Sequence, residues 1–519
     1  MHIVILHCHF QRGGVTQVVE NQVRFLAGCD QVDSVTLISG DRRDGLSTQT
    51  VAACQHIVIE EMEYDSLLLA ADHLAKRAGA LAKNISESLA TLAISPDQSV
   101  LHWHNHSLGK NVAAPAAITI LSNAGWRFLL QVHDFAEDNR PQNYAHVISS
   151  CTATSPQEVD AFLYPAALQT HYAALTQADL GVFAAMGIAQ RQTHCLPNSV
   201  TKLADEATDR DEALYKVRQA FDLPDDARWC LYPVRGIRRK NVGEFLLLSR
   251  WLSENTFAGI SLRPTTRIEA LSYDRWKEVA TKVAPRALFD AGQTSEVTFV
   301  QNIAATDFVI STSVAEGFGM VFLEPWLSQR NVIARQLPTV TTDFRENGIE
   351  FPLLYESIAI PGDRDWIQQC WAESCQASVQ AWSRVPAGFR PSTTVNIDSS
   401  ITAESIDFAM LTPTRQVNTL ERLANDHGFE LATQQLNAEL CTQLRSQPDE
   451  SLIARNAKRI GEIYSMDHQG ANLVDAYQAV LRSPIDPTQS IAGRSRLAID
   501  CVSAIRPMYP CRTEEFADV

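Results

Sequence analysis

The chain has 519 residues, of which 45% are hydrophobic and 20% are charged. A chain of this length is too long for one compact core, so we expect a globular protein with at least two domains. The formal net charge of -16 would repel nucleic acids and anionic lipids, which excludes both as partners of the general surface. The sequence has no Cys-x-x-Cys pair, no basic leader and no apolar run of the roughly 18 residues that a membrane span needs. We therefore expect a cytoplasmic protein without stable membrane insertion.

Strands and helices alternate along the first part of the chain, which predicts an α/β fold. The apolar run His2–Leu6 predicts the first strand, and Gly13 and Gly14 predict a turn after it. Apolar residues at helical spacing predict a helix over 15–26. Further strands are predicted at 35–39, around Val58, at 99–103 and at 128–133.

The same alternation restarts in the second half of the chain, which predicts a second domain. Strands are predicted at 229–233, 296–300 and 308–312, a helix at 242–252, an acidic helical connector at 202–223, and closing helices at 456–481. We expect a first domain over 1–204, a second over 205–470, and a closing helix and tail over 471–519 that pack back on the first. Residues 346–420 are predicted to be an insertion, and the stretch 384–404, rich in Pro, Ser and Thr, is predicted to be a loop.

One segment combines two carboxylates with a glycine turn. Glu316 precedes Gly317, Phe318 and Gly319, and Glu324 follows eight positions after the first glutamate. The apolar run before it predicts a buried strand, the glycines let a ligand approach the backbone, and a helix start offers free N–H groups to an anion. On one helix the two carboxylates would lie about 12 Å apart. That exceeds the roughly 5 to 9.5 Å across a glycosidic bond in hydrolases, so the pair suits the two ends of an extended ligand such as a sugar nucleotide.

Four further motifs follow in the order of a known family. They are Arg12-Gly13-Gly14-Val15, Val132-His133-Asp134, Leu196-Pro197-Asn198-Ser199-Val200, and the pair Arg235 and Lys240. With the Glu-x7-Glu segment they resemble the retaining glycosyltransferases of the GT-B fold, most closely glycosyltransferase family 4, over most of the chain. Two stretches depart from the family's pattern: residues 326–333 lack its usual glycine, and Arg263-Pro264-Thr265 stands where a Gly-rich strand end is expected.

The resemblance implies two Rossmann-like domains that face each other across a cleft, with the acceptor on the side of the first domain and the donor bound by the second. It implies transfer of a hexosyl group, with retention at the anomeric carbon, to a hydroxyl of a small polar or saccharide acceptor. The donor would be a nucleoside-diphosphate sugar such as UDP-glucose or GDP-mannose. No metal and no other cofactor are expected, and the sequence leaves the base, the sugar, the acceptor and the oligomeric state open.

The same resemblance assigns roles to individual residues. The predicted catalytic residues are His133, Glu316, Arg235 and Lys240. The predicted donor-binding residues are Gly13, Gly14, Asn198, Arg235, Lys240, Glu316, Gly317, Phe318, Gly319, Met320, Val321 and Glu324. Arg235 and Lys240 would take the charge of the leaving phosphate, Glu324 would hold the ribose, and Glu316 would hold the hexose. His133 would polarise the transferred sugar or position the acceptor.

Other interpretations stay open at this stage. His102, His104 and His106 alternate along a predicted strand and imitate a metal site, although no nearby carboxylate or cysteine completes the set. The alternative is that some of these imidazoles line the cleft while others satisfy backbone groups. Arg238 and Arg239 are expected to be solvated. The alternative functions are a membrane-surface glycosyltransferase that extends a lipid-linked glycan and a non-catalytic sugar-nucleotide-binding protein.

Overall fold

The computed structural model describes residues 1–65, 71–201, 209–392, 404–446, 448–486 and 496–513. The chain forms two compact units. The first contains Met1–Ser199, Trp382–Thr393 and Ile463–Arg506, and the second contains Val200–Ala381, Thr394–Glu462 and Pro507–Val519. Residues 202–208 of the predicted connector and 393–403 of the predicted loop lie outside the described residues.

The first unit is built on a parallel sheet. Its described strands are β1 (His2–Leu6), β2 (Ser34–Ser39), β3 (Gln55–Val58), β4 (Ser99–His104), β5 (Phe128–Val132), β6 (Thr170–Ala174) and β7 (Thr193–Cys195). The order across the sheet is β3-β2-β1-β4-β5-β6-β7. Chain order therefore reverses between β1 and β4, and ligands of open α/β sheets bind at the carboxyl ends of the strands at such a reversal.

Helices connect these strands, as parallel pairing requires. They are α1 (Gly14–Leu26), α2 (Thr48–Ala53), α3 (Ala71–Thr91), α4 (Ala113–Asn123), α5 (Pro141–Cys151), α6 (Pro156–Leu163) and α7 (Gln177–Ala185). Strands β4 and β5 are buried along their whole length, as expected for a sheet covered on both faces. The predicted strands and the first helix of this unit are confirmed, with bounds that differ by a residue or two.

The second unit repeats the architecture. Its described strands are β8 (Arg228–Arg235), β9 (Thr256–Leu262), β10 (Ala287–Leu288), β11 (Phe308–Ser311), β12 (Asn331–Arg335), β13 (Leu354–Tyr355), β14 (Ala359–Pro361) and β15 (Ser405–Asp407). The first six form a parallel sheet in the order β10-β9-β8-β11-β12-β13, while β14 and β15 form a separate antiparallel pair. The reversal of chain order in this sheet lies between β8 and β11. Two parallel-sheet Rossmann-like units confirm the predicted fold class.

The described helices that follow along the chain complete the second unit and then return to the first. They are α8 (Arg210–Ala220), α9 (Val242–Trp251), α10 (Arg267–Val283), α11 (Phe299–Ala304), α12 (Glu324–Leu327), α13 (Pro338–Glu346), α14 (Arg364–Ala381), α15 (Pro413–Asn425), α16 (His427–Leu436), α17 (Ala438–Gln443), α18 (Glu450–Ile463), α19 (Met466–Arg482) and α20 (Ala498–Ile505). The predicted helices at 242–252 and 456–481 correspond to α9 and to α18 with α19. Among the described helices, none combines the length and the apolar composition that crossing a bilayer requires.

One predicted strand is wrong. Residues 296–300 run into the helix α11 instead of forming a strand, because Thr298 and Gln301 make a capping box. The Thr298 hydroxyl accepts the Gln301 N–H at 3.2 Å, and the Gln301 side chain accepts the Thr298 N–H at 3.0 Å. These two bonds satisfy N–H groups that only a helix start leaves open, and they override the strand preference of the apolar residues.

The division into units differs in detail from the domain bounds that the sequence predicts. The chain returns to the first unit at Ile463. The helix α19, which is capped by Ser465, holds the chain there because it buries Leu473 and Tyr477 in the core around β1 and α1. It leaves that unit again at Pro507, so residues 507–513 belong to the second unit. Within the predicted insertion, α14 belongs to the second unit and Trp382–Thr393 to the first.

Candidate functional site

The reversal of chain order between β8 and β11 brings two predicted site residues of the second unit together. Lys240 is the last residue of a short 3₁₀ turn that follows β8, and Glu316 follows β11. The Lys240 ammonium donates to Glu316 Oε1, and the Ser313 hydroxyl donates to the same oxygen at 2.6 Å. Lys240 and Glu316 are both 9% exposed, so this ion pair is largely withdrawn from water.

The charge state of Glu316 follows from these neighbours. Burial raises the pKa of the carboxyl, but the positive charges of Lys240 and Arg239 and the two hydrogen bonds outweigh burial and lower it. Glu316 is therefore an ionised acceptor at neutral pH. Such a carboxylate can accept hydrogen bonds from sugar hydroxyls.

Buried hydroxyl groups fix the backbone of Lys240. The Tyr232 hydroxyl on β8 donates to the Lys240 carbonyl at 3.1 Å, and the Thr312 hydroxyl donates to the same carbonyl at 2.9 Å. Asn241, the next residue, takes the left-handed conformation with φ of 47° and is the N-cap of α9. Thr312, Ser313 and Tyr232 were not identified from the sequence. Thr312 and Ser313 directly follow β11 and Tyr232 lies within β8, and neutral hydroxyl residues are too common at such positions to be distinguished from the sequence.

The other basic residues after β8 have different partners. Arg235 is half-buried and donates to the Thr265 hydroxyl at 3.1 Å, which places the unusual 263–265 stretch beside it. The prediction that Arg238 is solvated is wrong, because Arg238 forms a partly buried ion pair with Glu269. Arg239 is also only half-exposed, and its charge lowers the pKa of Glu316. Arg239 is thus a site residue that the sequence analysis missed.

The Gly-Phe-Gly turn is shaped by Gly319. This residue has φ of +85°, and a Cβ atom there would lie 2.8 Å from the side chains of Phe322 and Val340. Both facts require glycine. Within the described residues, the backbone N–H groups of Gly319, Met320 and Val321 have no hydrogen-bond acceptor. They are thus open to a ligand.

The helix predicted to start at this turn is much shorter than expected. Met320–Phe322 is one 3₁₀ turn, and α12 covers only Glu324–Leu327. A Schellman motif ends it: Gln329 is left-handed with φ of 60°, its N–H donates to the Trp326 carbonyl, and the Arg330 N–H donates to the Pro325 carbonyl. A helix this short contributes little dipole, so any help to an anion from this segment comes from the N–H groups themselves.

Glu324, the second carboxylate of the motif, is in a different state from Glu316. It is partly buried at the start of α12, and burial raises its pKa to about 7. Within the described part of the chain its carboxylate has no hydrogen-bond or ion-pair partner. The motif therefore holds one carboxyl that is ionised and one that is half protonated near neutral pH.

In the first unit His133 directly follows β5 and is held by β4 and the loop after it. Its Nε2 lies 2.8 Å from His104 Nδ1, and the two rings stack with centroids 5.1 Å apart. The N–H groups of His133 and Asp134 donate to the Asn105 side-chain oxygen at 2.8 and 3.1 Å. Burial lowers the pKa of His133 to about 4, so the ring is neutral at pH 7.

The three alternating histidines have separate partners. His102 bonds the Tyr477 hydroxyl at 2.8 Å and Gln131 at 3.0 Å, and His106 bonds the Leu163 carbonyl at 2.9 Å. His104 bonds His133. Among the described residues, no group of three or more His, Cys, Asp or Glu side chains is arranged to hold a metal ion.

The remaining predicted residues of the first unit lie in two places. Gly13 and Gly14 are exposed at the start of α1, and a Cβ at Gly14 would meet open space. Gly13 has φ of 177°, which any residue adopts, so its backbone does not demand glycine. Asn198 is buried beside the middle of α1, in a small pocket lined also by Asn21 and Gln131, and within the described residues its side-chain oxygen has no hydrogen-bond partner. The structure thus separates Asn198 from the glycine turn.

Two Rossmann-like units with these strand-end groups define the GT-B fold, and structural comparison confirms it. A sucrose-phosphate synthase from Thermosynechococcus elongatus superposes with a TM-score of 0.53 and 13% identity, covering 92% of this chain and 98% of that one. The catalytic domain of starch synthase IV from Arabidopsis thaliana gives a TM-score of 0.53 and 11% identity, covering 92% and 99%. At these identities the likeness establishes the fold alone.

Among curated proteins, the chain is similar to mannosylglucosyl-3-phosphoglycerate synthase from Petrotoga mobilis. The two are 28% identical over 360 residues, which is 66% of this chain and 66% of the relative's length. The aligned part is thus slightly under two thirds of that relative. No family model matches the chain. The predicted resemblance to GT-B glycosyltransferases is confirmed by these comparisons, while the assignment to family 4 stays a prediction.

Proposed function

We propose that the protein is a glycosyltransferase that moves a hexosyl group, with retention at the anomeric carbon, from a nucleoside-diphosphate sugar to a hydroxyl of a small polar or saccharide acceptor. The observation that carries this proposal is the buried pair of Lys240 and Glu316, with Ser313, at the reversal between β8 and β11. The Lys240 ammonium, a cation that suits a phosphate, lies beside the ionised Glu316 carboxylate, which can accept hydrogen bonds from sugar hydroxyls. A sugar nucleotide presents both groups close together.

The local charge supports binding of a diphosphate in spite of the acidic chain. Lys240 and Arg239 supply two positive charges beside the single negative charge of Glu316, and Arg235 adds a third at the end of β8. A guanidinium group and an ammonium group both suit phosphate oxygens. The open N–H groups of 319–321 add neutral donors. In this proposal Arg235 and Lys240 stabilise the charge that develops on the leaving phosphate.

The two carboxyls would hold the two ends of the donor. Glu316 accepts hydrogen bonds from hexose hydroxyls, and Glu324 accepts them from the ribose. Donor binding and ionisation of Glu324 would then favour each other, because ribose hydroxyls donate best to a charged oxygen. Asn198, Gly13 and Gly14 remain donor-binding candidates from the sequence alone.

Retention fits a mechanism without a covalent enzyme intermediate. The bond between the anomeric carbon and the leaving phosphate oxygen breaks, and the acceptor oxygen bonds to the same face of that carbon. The acceptor proton passes to the departing phosphate oxygen. The neutral His133 ring, fixed by His104 and Asn105, would position the acceptor or polarise the transferred sugar, so the protein acts by placement and charge.

The acceptor and the location complete the proposal. The Petrotoga relative is named as a synthase of a small glycoside, which supports a small polar acceptor over a polymer. The cytoplasmic location rests on the sequence pattern described above. No metal or other cofactor enters the proposed reaction.

A ligand screen tests the proposal. Unfolding would be followed with UDP, GDP, ADP and dTDP, since a ligand at 100 times its Kd adds about 2.7 kcal/mol of stability. We expect one of these nucleotides to stabilise the wild type and the exposed control Lys277→Gln, and to lose most of that effect in Lys240→Gln. Product formation from the matching UDP- or GDP-sugar would follow. The proposal would be overturned if none of the four nucleoside diphosphates stabilised the wild type.

A further inference from the structure

A second group of polar side chains lies at the carboxyl edge of the first unit's sheet. His9 follows β1, Arg42 follows β2, Tyr64 follows β3, Lys110 follows β4 and Arg140 follows β5. The Arg42 guanidinium and the Lys110 ammonium lie 5.2 and 4.9 Å from the centroid of the Tyr64 ring. We call His9, Tyr64, Lys110 and Arg140, with Arg42 beside them, the Tyr64 cluster.

The hydrogen bonds of His9 fix the direction in which Tyr64 donates. The Gln11 backbone N–H donates to His9 Nδ1 at 3.3 Å, so that nitrogen is an acceptor and the ring proton sits on Nε2. His9 Nε2 lies 3.1 Å from the Tyr64 hydroxyl and therefore donates to its oxygen. The hydroxyl hydrogen of Tyr64 is left to donate outward, and within the described residues it meets no acceptor.

Two further donors of the cluster lack acceptors in the described part of the chain. The Lys110 ammonium has three N–H bonds and, within the described residues, no ion-pair or hydrogen-bond partner; it lies over the Tyr64 ring. Arg140 donates from one terminal nitrogen to Asp134 at 2.6 Å, but its buried Nε has no partner among the residues that the structure describes. Tyr64 and Arg140 are half-buried, and half-buried donors without acceptors are costly and mark a site where an acceptor binds, while Lys110 is exposed and adds a positive charge beside them.

Within the described residues, the carboxylates near the cluster do not accept hydrogen bonds from the Lys110 ammonium or the Tyr64 hydroxyl. Glu63 is bound by Arg42 through two nitrogens at 2.6 and 2.8 Å, and Asp134 is bound by Arg140. Burial lowers the pKa of His9 and the charge of Asp44 opposes this only weakly; in the described part of the chain Asp44 forms no hydrogen bond with the cluster. Lys110 therefore contributes a positive charge that no carboxylate contacts in the described residues.

The position of the cluster links it to the proposed reaction. The buried His7 ring lies between the cluster and His133: its centroid is 5.4 Å from that of His9 and 6.5 Å from that of His104, and His104 is hydrogen-bonded to His133. We propose that the Tyr64 cluster binds an anionic group, a phosphate or a carboxylate, carried by the acceptor. Assignment of the anion to the acceptor rests on the proposed function, whereas anion binding by the cluster does not.

Calorimetry with small probes tests anion binding without any transfer reaction. The probes are glucose 6-phosphate, inorganic phosphate and, as the neutral comparison, glucose. We expect the two phosphates to bind and glucose not to bind measurably. Lys110→Gln and Tyr64→Phe should each weaken glucose 6-phosphate by about ten- to a hundredfold, the effect of a hydrogen bond to a charged group. Lys83→Gln, at an exposed surface pair with Glu87, is the matched control and should bind as the wild type does.

A further variant distinguishes binding at the donor site from binding at the Tyr64 cluster. Lys240→Gln should leave glucose 6-phosphate binding intact, and it should abolish the response to nucleoside diphosphates if the proposed function holds. Loss of glucose 6-phosphate binding in Lys240→Gln with no change in Lys110→Gln would place the phosphate in the second unit and overturn the inference. Equal binding of glucose and glucose 6-phosphate by the wild type would overturn it as well. Failure of the nucleotides alone would reject the function and leave the cluster standing.

Sedimentation with vesicles shows whether the anion is carried by a soluble acceptor or by a lipid head group. Sedimentation with phosphatidylcholine vesicles that contain phosphatidylglycerol would be compared with sedimentation with pure phosphatidylcholine. A soluble acceptor predicts glucose 6-phosphate binding and no sedimentation in either case. Lys110-dependent sedimentation with the anionic vesicles would support the same anion site with a lipid head group as its ligand.

Discussion

Replacing Glu324 by Gln tests the most unusual ionisation in the second unit. The wild-type carboxyl is partly buried and has no polar partner among the described residues, and burial raises its pKa from 4.5 to about 7. A pKa that is higher in the folded than in the unfolded state means that stability is present below pH 4.5 and is lost as the pH rises through 7. Glutamine keeps the size of the side chain and removes the charge, so the variant has no such loss.

The pKa difference sets the size of the effect. About two and a half pKa units correspond to about 3 kcal/mol, which is an upper limit because the side chain is only partly buried. Between about pH 5 and about pH 8, Glu324→Gln should therefore gain up to this amount of unfolding free energy relative to the wild type. The exposed control Glu346→Gln, at the end of α13, should show no such trend.

Donor binding should move in the opposite direction. If ribose hydroxyls donate to the ionised Glu324, wild-type affinity for UDP-glucose or GDP-mannose should rise as the pH passes 7, by at most about ten- to a hundredfold. Glu324→Gln should bind more weakly and without that rise. Denaturant unfolding and calorimetry at several pH values measure both effects. A stability difference that does not change with pH would refute the reasoning about burial, and a flat wild-type affinity would refute the ribose contact.

Four further outcomes follow from the structure. Arg335→Met should destabilise the second unit by about 3 to 5 kcal/mol in denaturant unfolding, because Arg335 pairs with the buried Glu244 and Asp407. Adding Glu244→Gln and Asp407→Asn should restore most of the lost stability. No recovery would show that the unpaired charges are not the cause of the loss. Lys240→Ala should lower kcat by about 10² to 10³-fold, the loss seen for one donor to a developing oxyanion, and near-normal turnover would exclude its role at the phosphate. Exhaustive EDTA treatment should leave transfer intact, and recovery only with Mg²⁺ or Zn²⁺ would restore the metal interpretation of the histidine strand. His133→Ala should slow transfer without changing the product anomer, and proton NMR should show an α product from an α-linked donor; a β product would make His133 a candidate general base.

The fold was predictable because its signals are local. A run of apolar residues followed by glycine and a helical pattern located β1, α1, β8 and α9 to within a residue or two. Such patterns report burial and period, which depend on neighbours along the chain. The same signals failed at α11, where the hydrogen bonds of Thr298 decided the conformation, and at the end of α12, where Gln329 takes a conformation usually left to glycine.

The site was predictable only in part, because its geometry depends on strand register. The Glu-x7-Glu segment and Lys240 were found as motifs, but the ion pair joins residues 76 positions apart and exists because β8 and β11 are neighbours. His104 and His133 are similarly joined across β4 and β5, 29 positions apart. Arg239 could not be distinguished from Arg238, since adjacent residues on a turn point to different surroundings that the sequence does not record.

The acidic character of the chain and its anion sites are compatible for a physical reason. A net charge of -16 repels a nucleoside diphosphate or a phosphorylated acceptor at long range. At about 0.15 M salt, however, charges farther away than roughly 8 Å are largely screened, whereas contacts at hydrogen-bond distance are not. Recognition of an anion must then arise from donors placed within a few ångströms of it. The Lys240 group in one unit and the Tyr64 cluster in the other are arrangements of that kind, each at the carboxyl edge of its own sheet.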